Sequence, residues 1–433
     1  MKFLYTTLFL LLSFAVFSQK WISPNFGNHR LDYRDLGYPG VTEIPADNSR
    51  ISALLSGQDG YVYGATSGKQ AYLFVFDPYI NKVRPLGQLP KAQGVHHAMV
   101  QDAEGNIYLG TGLNLLDEIP LTRDFPGGHR QIEHQLWKDI KHYHADYAGG
   151  RILKYNTKEN REKVSLIEDQ ADVEELGVVI KNNSVYTMTM DQQNQLIYGI
   201  TYPDAHFFQL DVQSKQMVDY GKLLDTLIFS GPERSWRSVP RSLVCLDDGR
   251  VLTAANDGLI AIFDPKTKAF EYTNMRLPGE YWESWNYTGY PVVEQLIIAP
   301  DKVIWGSTSD GFIFKIHLDE GKLIDLGKPR VSRRVRGMTL GQDGNLYLIA
   351  GELGQPGKLF SYDTKANNGF TNWSYLSVDH SPYYAKRAYQ FDAMTTGSDG
   401  TIFIGESDRR GKLFLFIPGG EIFEGGLNPK NPR

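Results

Sequence analysis

The chain has 433 residues, 41% hydrophobic and 22% charged, a composition that excludes a disordered chain and suits one large domain or roughly two to three ordinary ones. Its 45 basic and 50 acidic side chains give a net charge of -5, which offers no positive field to a phosphate backbone and argues against a nucleic-acid binder. A single cysteine, Cys245, excludes an internal disulfide and a thiolate zinc cluster, so packing must hold the fold.

At the start, Met1-Lys2 precedes an apolar run from Phe3 to Phe17 and then Ser18-Gln19-Lys20. This order reads as a signal peptide over residues 1–18. The run is shorter than the ~20 residues that span a bilayer, and no cysteine stands at the cleavage site to carry a lipid. The expectation is a secreted or periplasmic protein with no membrane span after cleavage. Residues 19–433 contain no linker and read as a single domain.

The next segment, LDYRDLG at Leu31–Gly37, has the form of a strand that closes later units, as in VRPLG at Val83–Gly87 and LIDLG at Leu323–Gly327. From there a unit recurs seven times: an apolar strand, a turn of the Asp-Gly type, a strand often carrying an aromatic-Gly pair, a loop, and a third strand closing on Asp or Asn. The strands after the turns are YVYGATS, NIYLGTG, QLIYGITY, RVLTAAN, KVIWGSTS, NLYLIAG and TIFIGES, and their partners are YLFVFDP, GRILKYN, HFFQLDV, LIAIFDP, FIFKIHL, KLFSYDT and KLFLFIP. Each is a small antiparallel meander that cannot bury both faces alone. The last unit lacks a fourth strand, and the segment at Leu31 precedes the first. The sequence therefore predicts an all-β, seven-bladed β-propeller of four-stranded antiparallel blades, its ring closed by the N-terminal strand. The one long irregular insertion, 114–150, includes a helical pattern over Gln131–Tyr143, and excursions of that length are often functional.

In such an arrangement the entries to the innermost strands and the loops between second and third strands share one face. Arg50, His96, His97, Tyr202, His206, Arg237, Arg241, Arg336, Arg387 and Tyr389 fall there. Guanidinium forks bind carboxylates and tyrosines stack on sugar faces, so the set suits an acidic polysaccharide or oligosaccharide. Alternation sends one histidine of GVHHAMV toward the pocket and the other into an interface; His97 is assigned to the pocket. KHYHADYAGG adds His142 and His144 near the same face. With Asp146 or Asp204, the histidines also allow a structural or site metal, zinc, manganese or calcium, although no tight ligand motif is present.

In VHHAMV, KHYHADYAGG and ITYPDAHFF the chain resembles the secreted seven-bladed propeller lyases that cleave uronic-acid-containing polysaccharides, the ulvan lyase type. The resemblance implies β-elimination, with His97, His144 and Tyr202 as the catalytic set and Arg237 or Arg241 at the uronate carboxylate. An imidazole titrating near neutrality takes the C5 proton, a phenol or imidazole protonates the leaving oxygen, and no cofactor is required. Two alternatives stand beside this polysaccharide lyase. A glycoside hydrolase on a similar acidic glycan would need paired carboxylates, for which Asp204 and Glu294 are the nearest candidates. A non-catalytic glycan- or protein-binding domain would use the same residues, since fold does not decide function. A monomer is expected in each case.

Overall fold

The structure, a computed structural model, describes residues 30–37, 41–115, 142–163, 166–224, 239–279, 291–330, 335–351, 357–366, 369–380, 384–387, 390–408 and 410–419. The expected signal segment and most of the 114–150 insertion lie outside them. Residues 142–144 are helical, so only the end of the helix predicted over 131–143 is described. No helix among the described residues is long and apolar enough to cross a membrane.

Strand β1 (Arg30–Arg34) comes first. Unit one is β2 (Arg50–Ser56), β3 (Val62–Ser67), β4 (Tyr72–Asp77) and β5 (Lys82–Gln88); unit two is β6 (Gly94–Gln101), β7 (Ile107–Gly112), β8 (Arg151–Tyr155) and β9 (Val173–Val178). Unit three is β10 (Ser184–Asp191), β11 (Leu196–Tyr202), β12 (His206–Asp211) and β13 (Met217–Lys222); unit four is β14 (Val244–Cys245), β15 (Val251–Ala254), β16 (Leu259–Asp264) and β17 (Ala269–Arg276). Unit five is β18 (Val293–Ile298), β19 (Ile304–Thr308), β20 (Ile313–His317) and β21 (Lys322–Asp325); unit six is β22 (Val335–Leu340), β23 (Asn345–Ala350), β24 (Lys358–Asp363) and β25 (Phe370–Tyr375). A hairpin of β26 (Ser377–His380) and β27 (Tyr384–Arg387) leads into unit seven, β28 (Phe391–Thr396), β29 (Ile402–Glu406) and β30 (Leu413–Ile417).

The recurring Asp-Gly turn has a direct physical basis. Asp59 accepts hydrogen bonds from the Tyr61 amide at 3.2 Å and the Tyr63 hydroxyl at 2.7 Å, and Asp343 does the same for the Asn345 amide at 3.0 Å and the Tyr347 hydroxyl at 2.6 Å. The glycine that follows takes the left-handed conformation the turn requires, with φ of 83° at Gly60. The carboxylate thus ties the turn to a tyrosine near the start of the strand it launches. In unit three, where Asn194 stands at the turn, the Tyr198 hydroxyl is buried with no hydrogen-bond partner.

The aromatic-Gly pair has a packing origin. Phe74, Phe208 and Phe314 lay their rings over Gly64, Gly199 and Gly306 of the neighbouring strand, well inside the distance at which a β-carbon could stand there. The core lies between units: Leu252, Ile260 and Ile262 of unit four meet Val293, Ile304 and Phe314 of unit five. Leu31 and Tyr33 of β1 enter a cluster with Tyr347, Leu359, Phe414 and Phe416. The first strands of successive units also pack together, β2 on β6, β6 on β10, β10 on β14, β14 on β18, β18 on β22, β22 on β28, and β28 on β2.

Strand β1 pairs antiparallel with β30 from Arg30↔Ile417 to Arg34↔Leu413, completing a four-stranded sheet with β28 and β29. The predicted closed ring of seven separate four-stranded blades is corrected. Among the described residues the hydrogen-bond ladders give four separate four-stranded sheets, a twelve-stranded sheet and the two-stranded β26–β27 hairpin, and none closes on itself into a ring. The large sheet exists because single bridges, Ser67↔Gly94 and Thr187↔His97, knit units one, two and three side by side. A repeat pattern read strand by strand reports the ladder within each unit and carries no information on bridges between units.

Candidate functional site

The first strands share a local pattern: an apolar residue, a polar one, then a small or polar one and another apolar. It reads Ile51-Ser52-Ala53-Leu54, Val185-Tyr186-Thr187-Met188, Val293-Glu294-Gln295-Leu296, Val335-Arg336-Gly337-Met338 and Phe391-Asp392-Ala393-Met394. In all five the antiparallel register shifts across the polar residue, and β6 has a wider shift between Val95 and Met99 that takes in His96 and His97. A β-bulge at this point leaves one residue unpaired and re-aims it. Repeated from unit to unit, the bulges place Ser52, His96, Tyr186, Glu294, Arg336 and Asp392 at corresponding positions.

Where the first strands converge there is a cavity of about 200 Å³, walled by Ala53, Leu54, Met99, Thr187, Met188, Leu243, Leu296, Ala393 and Met394, with His97, Arg241, Ser242 and Gln295 as its more polar members. Arg241 donates to Glu294 Oε2 at 2.7 Å through Nη1 and to Asp392 Oδ1 at 2.8 Å through Nη2. Arg336 reaches the same Asp392 oxygen at 3.0 Å. All four side chains are buried. The Arg241 Nη2 group also contacts His97 Nε2, and Gln295 is fixed beside His97 by donating to the Arg336 carbonyl at 2.9 Å.

The electrostatics follow from this geometry. Burial pushes the Asp392 carboxyl up, but the Arg336 and Arg241 guanidiniums outweigh it and hold the group well below the usual carboxylate range. Burial likewise opposes the charge on Arg241, and Glu294 and Asp392 more than restore it. Desolvation and the Arg241 charge hold His97 well below the usual histidine value. His97 is therefore held in its neutral form, with Nε2 against the Arg241 guanidinium and Nδ1 3.5 Å from the Gln295 side-chain amide nitrogen.

A second cluster adjoins the first. His96 is buried, contacts the Leu113 carbonyl through Nε2 at 3.0 Å, and is lowered to about 4, mainly by desolvation. Its ring lies 6.0 Å from Tyr186, which lies 5.0 Å from Tyr202, which lies 5.9 Å from His144. His144 Nε2 is 3.1 Å from Ser184 Oγ, which accepts from the Leu113 amide at 3.0 Å. Gln93 Oε1 accepts from the Tyr143 hydroxyl at 2.8 Å and from the Asn114 amide at 3.2 Å. Both ends of the long insertion are thus fastened to the first strands of units two and three.

The structure brings His97, Arg241 and Arg336 together and places His96, His144 and Tyr202 in the buried aromatic stack beside them. His206 is set apart, its Nδ1 3.0 Å from Asp219 on the neighbouring strand β13. Arg50 opens β2 and Arg387 ends β27. Arg237 and Tyr389 lie outside the described residues. Asp392 and Tyr186, absent from the sequence-based set, are central; their signal in the sequence was position, the same place in the first-strand pattern as Arg336. Among the described residues no group of three or more His, Cys, Asp or Glu is placed to hold a metal ion.

No protein-family model matches the chain, and no curated protein does. Solved structures do. A streptogramin B lyase is 14% identical with a TM-score of 0.58, covering 91% of this chain and 99% of its own. The virginiamycin B lyase of Staphylococcus aureus is 11% identical with a TM-score of 0.56, covering 90% and 99%. The extracellular domain of a putative one-component system from B. thetaiotaomicron is 14% identical with a TM-score of 0.53, covering 89% of this chain and 40% of that one. At these identities the chain shares a fold with lyase and sensor-domain structures.

Proposed function

We propose that the protein is a lyase that cleaves a uronic-acid-containing polysaccharide by β-elimination, with His97 as the base and Arg241 as the electrostatic partner of the acyl group. The observation that carries this reading is the contact of a neutral imidazole with a guanidinium at the wall of the cavity. β-Elimination needs those two functions side by side: a base for the carbon acid and a fixed positive charge where the enolate oxygen forms. Glu294 and Asp392 hold Arg241 from two sides, so little reorganisation is required as charge develops. In the free protein Arg241 Nη2 lies against His97 Nε2; a substrate acyl oxygen that takes over the Arg241 N–H leaves Nε2 open to accept the C5 proton. The electron pair of that C–H bond forms the C4–C5 double bond, the C4–O bond breaks, and the new imidazolium protonates the departing oxygen. The stack of Tyr202, Tyr186 and His96 supports the strand that carries His97. The likeness in fold to two proteins named as lyases agrees with elimination chemistry. In this reading the signal segment exports the chain and the reaction takes place in the periplasm or outside the cell.

Incubation with ulvan, pectic, alginate and glucuronan-type polysaccharides, following the ultraviolet absorbance of an unsaturated uronate, tests the proposal. His97→Ala should lower the rate by about 100-fold or more while leaving the unfolding temperature close to that of the parent. New reducing ends without the unsaturated chromophore would replace elimination with hydrolysis. A second reading, an extracellular binding domain without catalysis, is favoured by the likeness to the sensor-system domain; saturable glycan binding with no product from any polymer would select it.

A further inference from the structure

The Arg241 guanidinium at the cavity wall, and Arg336 behind it, are matched by buried carboxylates. Arg241 and Arg336 contribute two positive charges, Glu294 and Asp392 two negative ones, and every member is within 3.0 Å of an opposite partner. The charged groups acting on His97 from the strands around it are Arg241, Asp392 and Arg336, with His96 beside it, and the imidazole itself is neutral. The rest of the wall carries the uncharged polar groups of Ser242, Gln295 and Thr187 together with alanine, leucine and methionine. Among the described residues, each of these guanidiniums already meets a carboxylate, so a carboxylate entering here would add a negative charge with no free positive partner and would be disfavoured on desolvation. An uncharged acyl group loses little on entry and still offers a carbonyl oxygen to Arg241.

Resting on the elimination reading above, we propose that the site takes a uronate whose carboxyl is esterified in preference to the free acid, and that Asp392 is the specificity-determining residue. Its place supports the role: one oxygen, Oδ1, receives both Arg241 and Arg336, so this single carboxylate neutralises guanidiniums from units four and six together. An ester also suits the chemistry, since its carbonyl acidifies the C5–H bond more than a carboxylate does, and the bonds made and broken are those given above. Asp392→Asn keeps an oxygen for the two guanidiniums while removing the charge, leaving the cluster with one net positive charge. That variant should admit the free acid.

The test compares methyl-esterified and de-esterified oligogalacturonides of one length by calorimetric binding and, separately, by formation of the unsaturated product. The parent protein is expected to bind the ester tighter by about tenfold or more, and Asp392→Asn to move that ratio toward the acid by about tenfold with a new dependence on salt. Equal or tighter binding of the free acid by the parent overturns the proposal, as does failure to bind either oligomer, or an unchanged ratio in a folded Asp392→Asn protein. Should that variant not fold, the parent's ratio decides. Preference for the ester without cleavage upholds the specificity and removes the elimination reading; cleavage with preference for the acid does the reverse.

Discussion

His96 and His97 are adjacent in sequence and differ in what surrounds them. His97 stands at the cavity wall against Arg241, whereas His96 is enclosed, contacting the Leu113 carbonyl and the ring of Tyr186. Alternation in the sequence separates the two histidines, and His97 is assigned to the pocket as the one nearer the strand; in the structure both lie within the register shift between Val95 and Met99. Burial lowers His96 from 6.5 to about 4. The folded protein thus excludes a proton that the unfolded chain accepts. Stability from this group is fully present above pH 6.5 and is lost as the pH falls through the window from 6.5 to 4. The loss is about 3 kcal/mol. Denaturant titrations at several pH values should show this decline, and His96→Asn should flatten it.

At the scale of the element, two short signals that recur among the units correspond to two contacts. The Asp of the turn fastens the strand through a tyrosine hydroxyl in units one, two and six. The glycine of the aromatic-Gly pair makes room for a phenylalanine ring from the next strand. Gly306 is a clean test, since its neighbour Phe314 is fully buried and has no space to retreat. Gly306→Ala should destabilise the protein by about 1–3 kcal/mol, measured by chemical unfolding, and Phe314→Leu in the same chain should recover part of the loss. These elements were legible because their causes are local. The bulges were not: a bulge is a relation between two strands, and the sequence shows only a polar residue after an apolar one.

For the molecule as a whole, the N-terminal strand matters out of proportion to its five residues. It covers the edge of β30, and Leu31 and Tyr33 enter the core between units six and seven. Leu31→Asp should lower stability by about 3 kcal/mol or more through a buried, unpaired charge, and the freed edge should promote association visible in size-exclusion chromatography. The sequence by itself determined the all-β class, the repeated units, and their strands and turns, because hydrophobic alternation, turn residues and close packing act over a few neighbouring positions. Only the tertiary structure decided the rest. Bridges between strands distant in sequence joined the first three units into one sheet. Bulges on separate units brought Glu294 and Asp392 onto Arg241 and Arg336, so that two of the arginines expected at one face stand in ion pairs with buried carboxylates. Buried charges persist only where an opposite charge meets them, and which charges meet is settled when the strands come together in space.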